Sequence, residues 1–141
     1  PLGGGQVIEK LVLDMVNLAE DLTKDERLIS IGRALDEGTQ KLREAALWLG
    51  SRLAAEPNDA AAGSTPFMRL AGVVIGGYYL ARSAQIAQEL LDGGKGNTDF
   101  LSDKIATALF YAEQIMPTVS GLVPAITQGA ERLFAIPNER L

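Results

Sequence analysis

The chain has 141 residues, 47% hydrophobic and 22% charged, which is enough for one domain with its own core and too apolar for wholesale disorder. Its net charge of −5, with 13 basic residues scattered along the sequence, disfavours a nucleic-acid-binding face. Cysteine and histidine are both absent, which excludes disulfides, thiolate nucleophiles, zinc–thiolate sites, a Ser-His-Asp triad and the Glu-x-x-His ligands of di-iron bundles.

The chain opens PLGGG, without an initiator methionine or a basic region before an apolar run, so no secretory signal is expected. That opening reads as a segment cut from a longer protein, and a cytoplasmic location is expected. The first helix is expected to begin near Gln6, after a flexible Gly3-Gly4-Gly5. Its apolar positions Ile8, Leu11, Val12, Met15, Leu18, Ala19 and Leu22 follow the spacing of one helical face. Thr23-Lys24-Asp25-Glu26 has the Thr-x-x-Glu form of a capping box and predicts a second helix from Lys24 to about Ala55. Its apolar line runs Leu28, Ile31, Leu35, Leu42, Ala46, Leu49 and Leu53. Glu37 and Lys41 are spaced as an outward ion pair, and Trp48 is expected to plug the core or an inter-helix groove.

Pro57 should end that helix, because the residue before a proline avoids the helical region. PNDAAAGSTP then reads as a surface linker to Pro66. Thr65 as N-cap and Pro66 at the first helical position predict a third helix to about Leu91. Its middle, LAGVVIGGYYLARSA (Leu70 to Ala84), is apolar nearly all round and marks the central helix of the fold. The longest uncharged apolar stretch, Leu70 to Ala81, is well short of the ~20 residues that span a bilayer, so no membrane span is expected. Gly72-x-x-x-Gly76 has the spacing of close helix pairs; it serves either packing inside the domain or a seam for a partner helix.

Asn97 or Thr98 should cap a fourth helix with the core line Phe100, Leu101, Ile105, Ala108, Ala112, Ile115, Val119, Leu122, Ile126 and Leu133. Pro117 and Pro124 fall inside that line, so a kink or break is expected there, with Pro137 ending the helix. With no strand-like alternation, the expected fold is all-α: one domain over 1–141, an antiparallel up-down-up-down four-helix bundle with its fourth helix kinked or broken near Pro117 and Pro124.

Few residues invite chemistry. GGKGN (Gly93 to Asn97) lacks the strand and the spacing of a phosphate loop and reads as a glycine C-cap and turn. Tyr78-Tyr79 and Phe110-Tyr111 suit core or interface packing with hydroxyls reaching the surface, the alternative being a ligand slot between the third and fourth helices. Lys104 and Glu113 lie amid apolar residues and are expected to be solvated or paired. No catalytic, cofactor-binding or metal-ligating residue is assigned.

TPFMRLAGVVIGGYYLARSA (Thr65 to Ala84) and DFLSDKIATALFYAEQIMP (Asp99 to Pro117) resemble the C-terminal-like domain of a branch of bacterial acyl-CoA dehydrogenases, the methylthiopropanoyl-CoA dehydrogenase type. PLGGGQVIEKLVLDMV and GAERLFAI (Gly129 to Ile136) fit as well. The resemblance implies a parent enzyme that uses FAD to remove hydrogens across the α,β bond of an acyl-CoA. Its glutamate base and main flavin contacts would lie upstream of this segment. By the same resemblance, this domain packs against the upstream dehydrogenase domains, shaping the acyl-CoA entrance or a homo-oligomer, and is not catalytic alone. An autonomous scaffold or dimerisation module, and a lipid- or acyl-chain-binding bundle, are the competing expectations.

Overall fold

A computed structural model describes residues 4–140, and every regular element in them is helical. In chain order these are α1 (Gly4–Leu22), α2 (Ile29–Leu53), α3 (Pro57–Asp92), α4 (Thr98–Phe110), a π-helical turn (Tyr111–Ile115), a 3-10 segment (Met116–Gly121), α5 (Leu122–Thr127) and a final 3-10 turn (Asn138–Arg140). The all-α class is as the sequence predicts. Of the PLGGG opening, Pro1 to Gly3 lie outside the described residues, while Gly4 and Gly5 are already helical.

α3 is the hub, packing against α1, α2, α4 and α5. Its inner stripe (Leu70, Val74, Tyr78, Ala81 and Ala84) is buried, and meets Met15, Leu18 and Leu22 of α1, Ile31, Leu35 and Leu42 of α2, and Leu101 and Ala108 of α4 in one core. The predicted apolar faces are correct in the middle of α1, α2 and α4 and fail towards the ends of the predicted lines. Ile8, Leu53, Phe100 and Leu133 are exposed.

The capping box does not form, and α2 starts five residues later than expected. The Thr23 hydroxyl donates to the Glu20 carbonyl at 2.7 Å and its N–H to Ala19, so Thr23 closes α1. Asp25 Oδ1 accepts the Arg27 N–H at 2.9 Å in an Asx turn, and α2 opens at Leu28 without a side-chain cap. A tertiary contact decides this: a Cβ on Gly32 would lie 2.8 Å from the Ala19 carbonyl and 3.0 Å from the Thr23 nitrogen. The first turn of α2 therefore crosses the last turn of α1 in van der Waals contact. Lys41 pairs with Glu44 at 3.5 Å, and the expected Glu37 pair is not made.

The predicted linker is a second correction. PNDAAAGSTP is helical throughout: Pro57 occupies the first turn of α3, and Pro66 sits inside the helix. Thr65 is therefore no cap. An interior proline costs ~3 kcal/mol when unrelieved, and contacts with the end of the chain outweigh it. Asp59 Oδ1 accepts the Ala130 N–H at 2.7 Å, Ala60 is buried, and Gly63 lies against the Ile126 carbonyl and Leu49.

Asn97 caps α4, its Oδ1 accepting the Phe100 N–H at 2.9 Å. The break near Pro117 and Pro124 occurs as expected, and it removes the cost of both prolines. Each falls in the first turn of a new element, the 3-10 segment and α5, where an N–H has no intrahelical acceptor anyway. The helix ends at Thr127 rather than near Pro137, with Gly129 turning the chain at φ +76°.

Candidate functional surface

The three glycines of the central stretch face in different directions. A Cβ on Gly76 would lie 2.8 Å from the Tyr111 hydroxyl, which donates to the Val73 carbonyl at 3.0 Å. A Cβ on Gly77 would lie 2.5 Å from Met116 Sδ, and one on Gly38 2.7 Å from Met116 Cε. Buried Met116 thus fills a notch cut by glycines from two helices. Gly72 is exposed and has nothing within 4 Å of its Cβ position. The seam is internal at Gly76 and Gly77 and open at Gly72. Gly72→Ala should therefore stabilise the domain by about 1 kcal/mol through helix propensity alone, read as a higher urea midpoint; an unchanged midpoint would mean that this face is already occupied.

The aromatic pairs split in the same way. Tyr78 is buried, with its hydroxyl 3.5 Å from Arg82 Nη1, and Tyr79 is exposed beside it, ring centroids 5.3 Å apart. Phe110 is exposed, whereas Tyr111 turns inward onto α3, and burial pushes its phenol pKa up. Its hydroxyl is held against the α3 backbone at Val73, in a partly buried position. Lys104 Nζ lies 5.2 Å over the Phe100 ring, Arg52 lies 5.5 Å over half-buried Trp48, and Glu113 is exposed.

GGKGN ends α3 as a Schellman turn: Lys95 N–H donates to Leu90 at 2.9 Å and Gly94 N–H to Leu91 at 3.0 Å, with Gly94 at φ +62°. Next to it, the Arg27 guanidinium bridges Asp25 (2.6 Å) and Asp92 (2.8 Å), tying the α1–α2 connection to the end of α3. Hydrogen bonding from Arg27 lowers the Asp25 carboxyl from 3.8 to about 2, and lowers Asp92 as well. Both carboxyls are depressed on folding, so their stabilising contribution is present above the ordinary carboxylate pKa and lost as pH falls through the folded value. Unfolding midpoints should drop between about pH 4 and pH 2, and Arg27→Gln should flatten that limb of the profile. A variant profile parallel to the parent's would remove this bridge from the account.

An open groove of about 460 Å³ runs between α1 and α2. Ile8, Val12, Leu13 and Val16 form one wall and Ala46 and Leu47 the other, with Glu9 and Arg43 as its charges. Among the described residues, no three acidic, histidine or cysteine side chains cluster as a metal site, and no helix is long and apolar enough to cross a membrane. Its described lining pairs no nucleophile with a base, and its chemistry is that of a packing surface.

A model of the family described as "Acetyl-CoA dehydrogenase C-terminal like" matches residues 11–137. The chain belongs to that family. The match begins within α1 and runs past α5, so this acetyl-CoA dehydrogenase C-terminal-like domain includes the hub helix, the Met116 notch and most of the groove. It is also similar to 3-methylmercaptopropionyl-CoA dehydrogenase of Ruegeria pomeroyi (strain ATCC 700808 / DSM 15171 / DSS-3), 39% identical over 79 residues. Those residues are 56% of this chain and only 13% of that relative's length.

Three structural residues of the domain had no local signal. Asp59 reaches Ala130 across 71 positions and Arg27 reaches Asp92 across 65, and Met116 reads in the sequence as one apolar residue among many.

Proposed function

We propose that the domain is the accessory C-terminal part of an FAD-dependent acyl-CoA dehydrogenase, docking on the catalytic body and shaping the acyl-CoA entrance or the oligomer. The observation that carries this reading is the match to a segment amounting to 13% of a protein named as an acyl-CoA dehydrogenase. The exposed apolar groove between α1 and α2 supports it, since such a surface asks for a cover. In this reading α1 to α4 form an up-down-up-down bundle, and the protein works in the cytoplasm.

The flavin itself does not fit here. The groove walls are apolar, and among the described residues Arg43 is the sole cation lining them to meet a diphosphate. The catalytic glutamate and the flavin contacts then belong to the preceding dehydrogenase domains, and no residue of this chain takes part in the chemistry.

The test uses the isolated chain and the dehydrogenase body expressed separately. The isolated chain should purify colourless and give no acyl-CoA-dependent reduction of an electron acceptor; bound flavin with turnover would overturn the accessory reading. Added to the truncated body, it should bind, and Leu13→Glu with Leu47→Glu should abolish binding while leaving the helical signal unchanged. Both leucines are exposed, so these substitutions spare the core.

A further inference from the structure

α3 carries a second stripe on the side away from its buried one. Met68, Gly72, Ile75, Tyr79, Arg82 and Ile86 follow one another at intervals of four, three, four, three and four residues. Met68, Tyr79 and Ile86 are large, apolar and exposed, Gly72 and Arg82 are exposed, and Ile75 is half-buried. Alternating fours and threes is the heptad spacing of a coiled-coil seam, one that packs against another helix at a shallow angle.

The interval pattern reads the same in both directions, so a second α3 running the opposite way presents the same spacing. Centred on Gly77, that pairing sets Met68 opposite Ile86, Ile75 opposite Tyr79 and Gly72 opposite Arg82. The sizes complement one another. The Cβ position of Gly72 faces empty space, which leaves room for an arginine stem whose charged head reaches water. The two arginines then lie ten residues apart along the axis, about 15 Å, beyond the ~8 Å screening length at physiological salt. A parallel pairing would set Arg82 against Arg82 and Gly72 against Gly72, adding a like-charge contact and a void.

We propose that α3 pairs antiparallel with α3 of a second copy of this chain through this seam. The pairing rests on the oligomeric part of the reading above and is independent of docking through the α1–α2 groove, so the two fail separately. Six residues a side fall short of the ~20–30 a side of a standard interface, so the isolated chain should dimerise in the micromolar range.

The chain has no cysteine, so single cysteines report register directly. An equimolar mixture of Ile75→Cys and Tyr79→Cys chains should oxidise to the mixed dimer in preference to either self-pair, because like positions lie too far apart for a disulfide. In sedimentation, Gly72→Leu should weaken dimerisation about tenfold or more while raising the melting temperature of the dilute monomer, and Tyr79→Glu should leave a folded monomer. Leu13→Glu with Leu47→Glu should leave the dimer intact. A monomer at every soluble concentration, preferential self-linking of Tyr79→Cys, or a dimer indifferent to Gly72→Leu would each overturn the proposal.

Discussion

Leu70→Ala is expected to lower the stability of the domain by about 2–5 kcal/mol, within the range for truncating a fully buried leucine. Leu70 has no exposed surface and stands on the inner stripe of the helix that touches α1, α2, α4 and α5. The cavity would open where several elements meet, and relaxation of any one would disturb the packing of the others. A domain of this size has a total stability of only ~5–15 kcal/mol. The melting temperature should therefore fall by roughly 8–20 °C, taking about 4 °C per kcal/mol at this length. Met68→Ala, two residues earlier and on the outer stripe, should change stability by no more than about 0.5 kcal/mol. Urea denaturation of the two variants decides the matter: equal losses would mean that the inner and outer faces of α3 have been assigned wrongly.

Periodicity placed the buried faces of α1 and α2 correctly because Met15 and Leu18, and Ile31, Leu35 and Leu42, each meet the core, and local pattern and tertiary packing agree there. It failed where they disagree. PNDAAAGSTP carries two prolines and several turn-forming residues, all local reasons for a loop. The helix forms because Asp59 and Gly63 find partners near the end of the chain. Thr23 could have capped α2 on local grounds, but the close crossing at Gly32 committed it to α1. Both errors come from contacts that no window of neighbouring residues contains.

The candidate surface was less visible still, for a different reason. Gly72 and Gly76 share a spacing motif, and only the structure separates the one under Tyr111 from the one facing solvent. The α1–α2 groove combines residues that the sequence assigned to the core, such as Ile8, Val12 and Ala46, with others it left unremarked, such as Leu13 and Leu47. An apolar residue at a helix end has the same sequence signature whether the domain itself or another surface is to cover it. The absence of histidine and cysteine, by contrast, narrowed the possible chemistry from composition alone.

Alanine at Gly63 is expected to cost about 1–3 kcal/mol, more than alanine at Gly77, although the closest contact is shorter at Gly77. A Cβ on Gly77 would lie 2.5 Å from Met116 Sδ, but that side chain can rotate, and the ~1 kcal/mol gained in helix propensity offsets part of the adjustment. A Cβ on Gly63 would lie 2.7 Å from the Ile126 carbonyl oxygen and 3.0 Å from Leu49 Cδ2. A backbone carbonyl can move only if α5 moves with it. One turn earlier on α3, Asp59 holds the Ala130 N–H, so displacing α5 at Gly63 also strains that bond. Asp59→Ala and Gly63→Ala should then be non-additive, the pair costing less than the sum, because each loosens the same attachment. Freed from that attachment, residues 57–66 keep only their local preferences, which are those of a loop. Amide exchange should accelerate there and around Ala130 in the Gly63 variant while the inner stripe from Leu70 to Ala84 stays protected. Uniform acceleration across α3 would show that the two halves of the helix unfold as one unit, and that the C-terminal contacts are not what keeps its first turns helical.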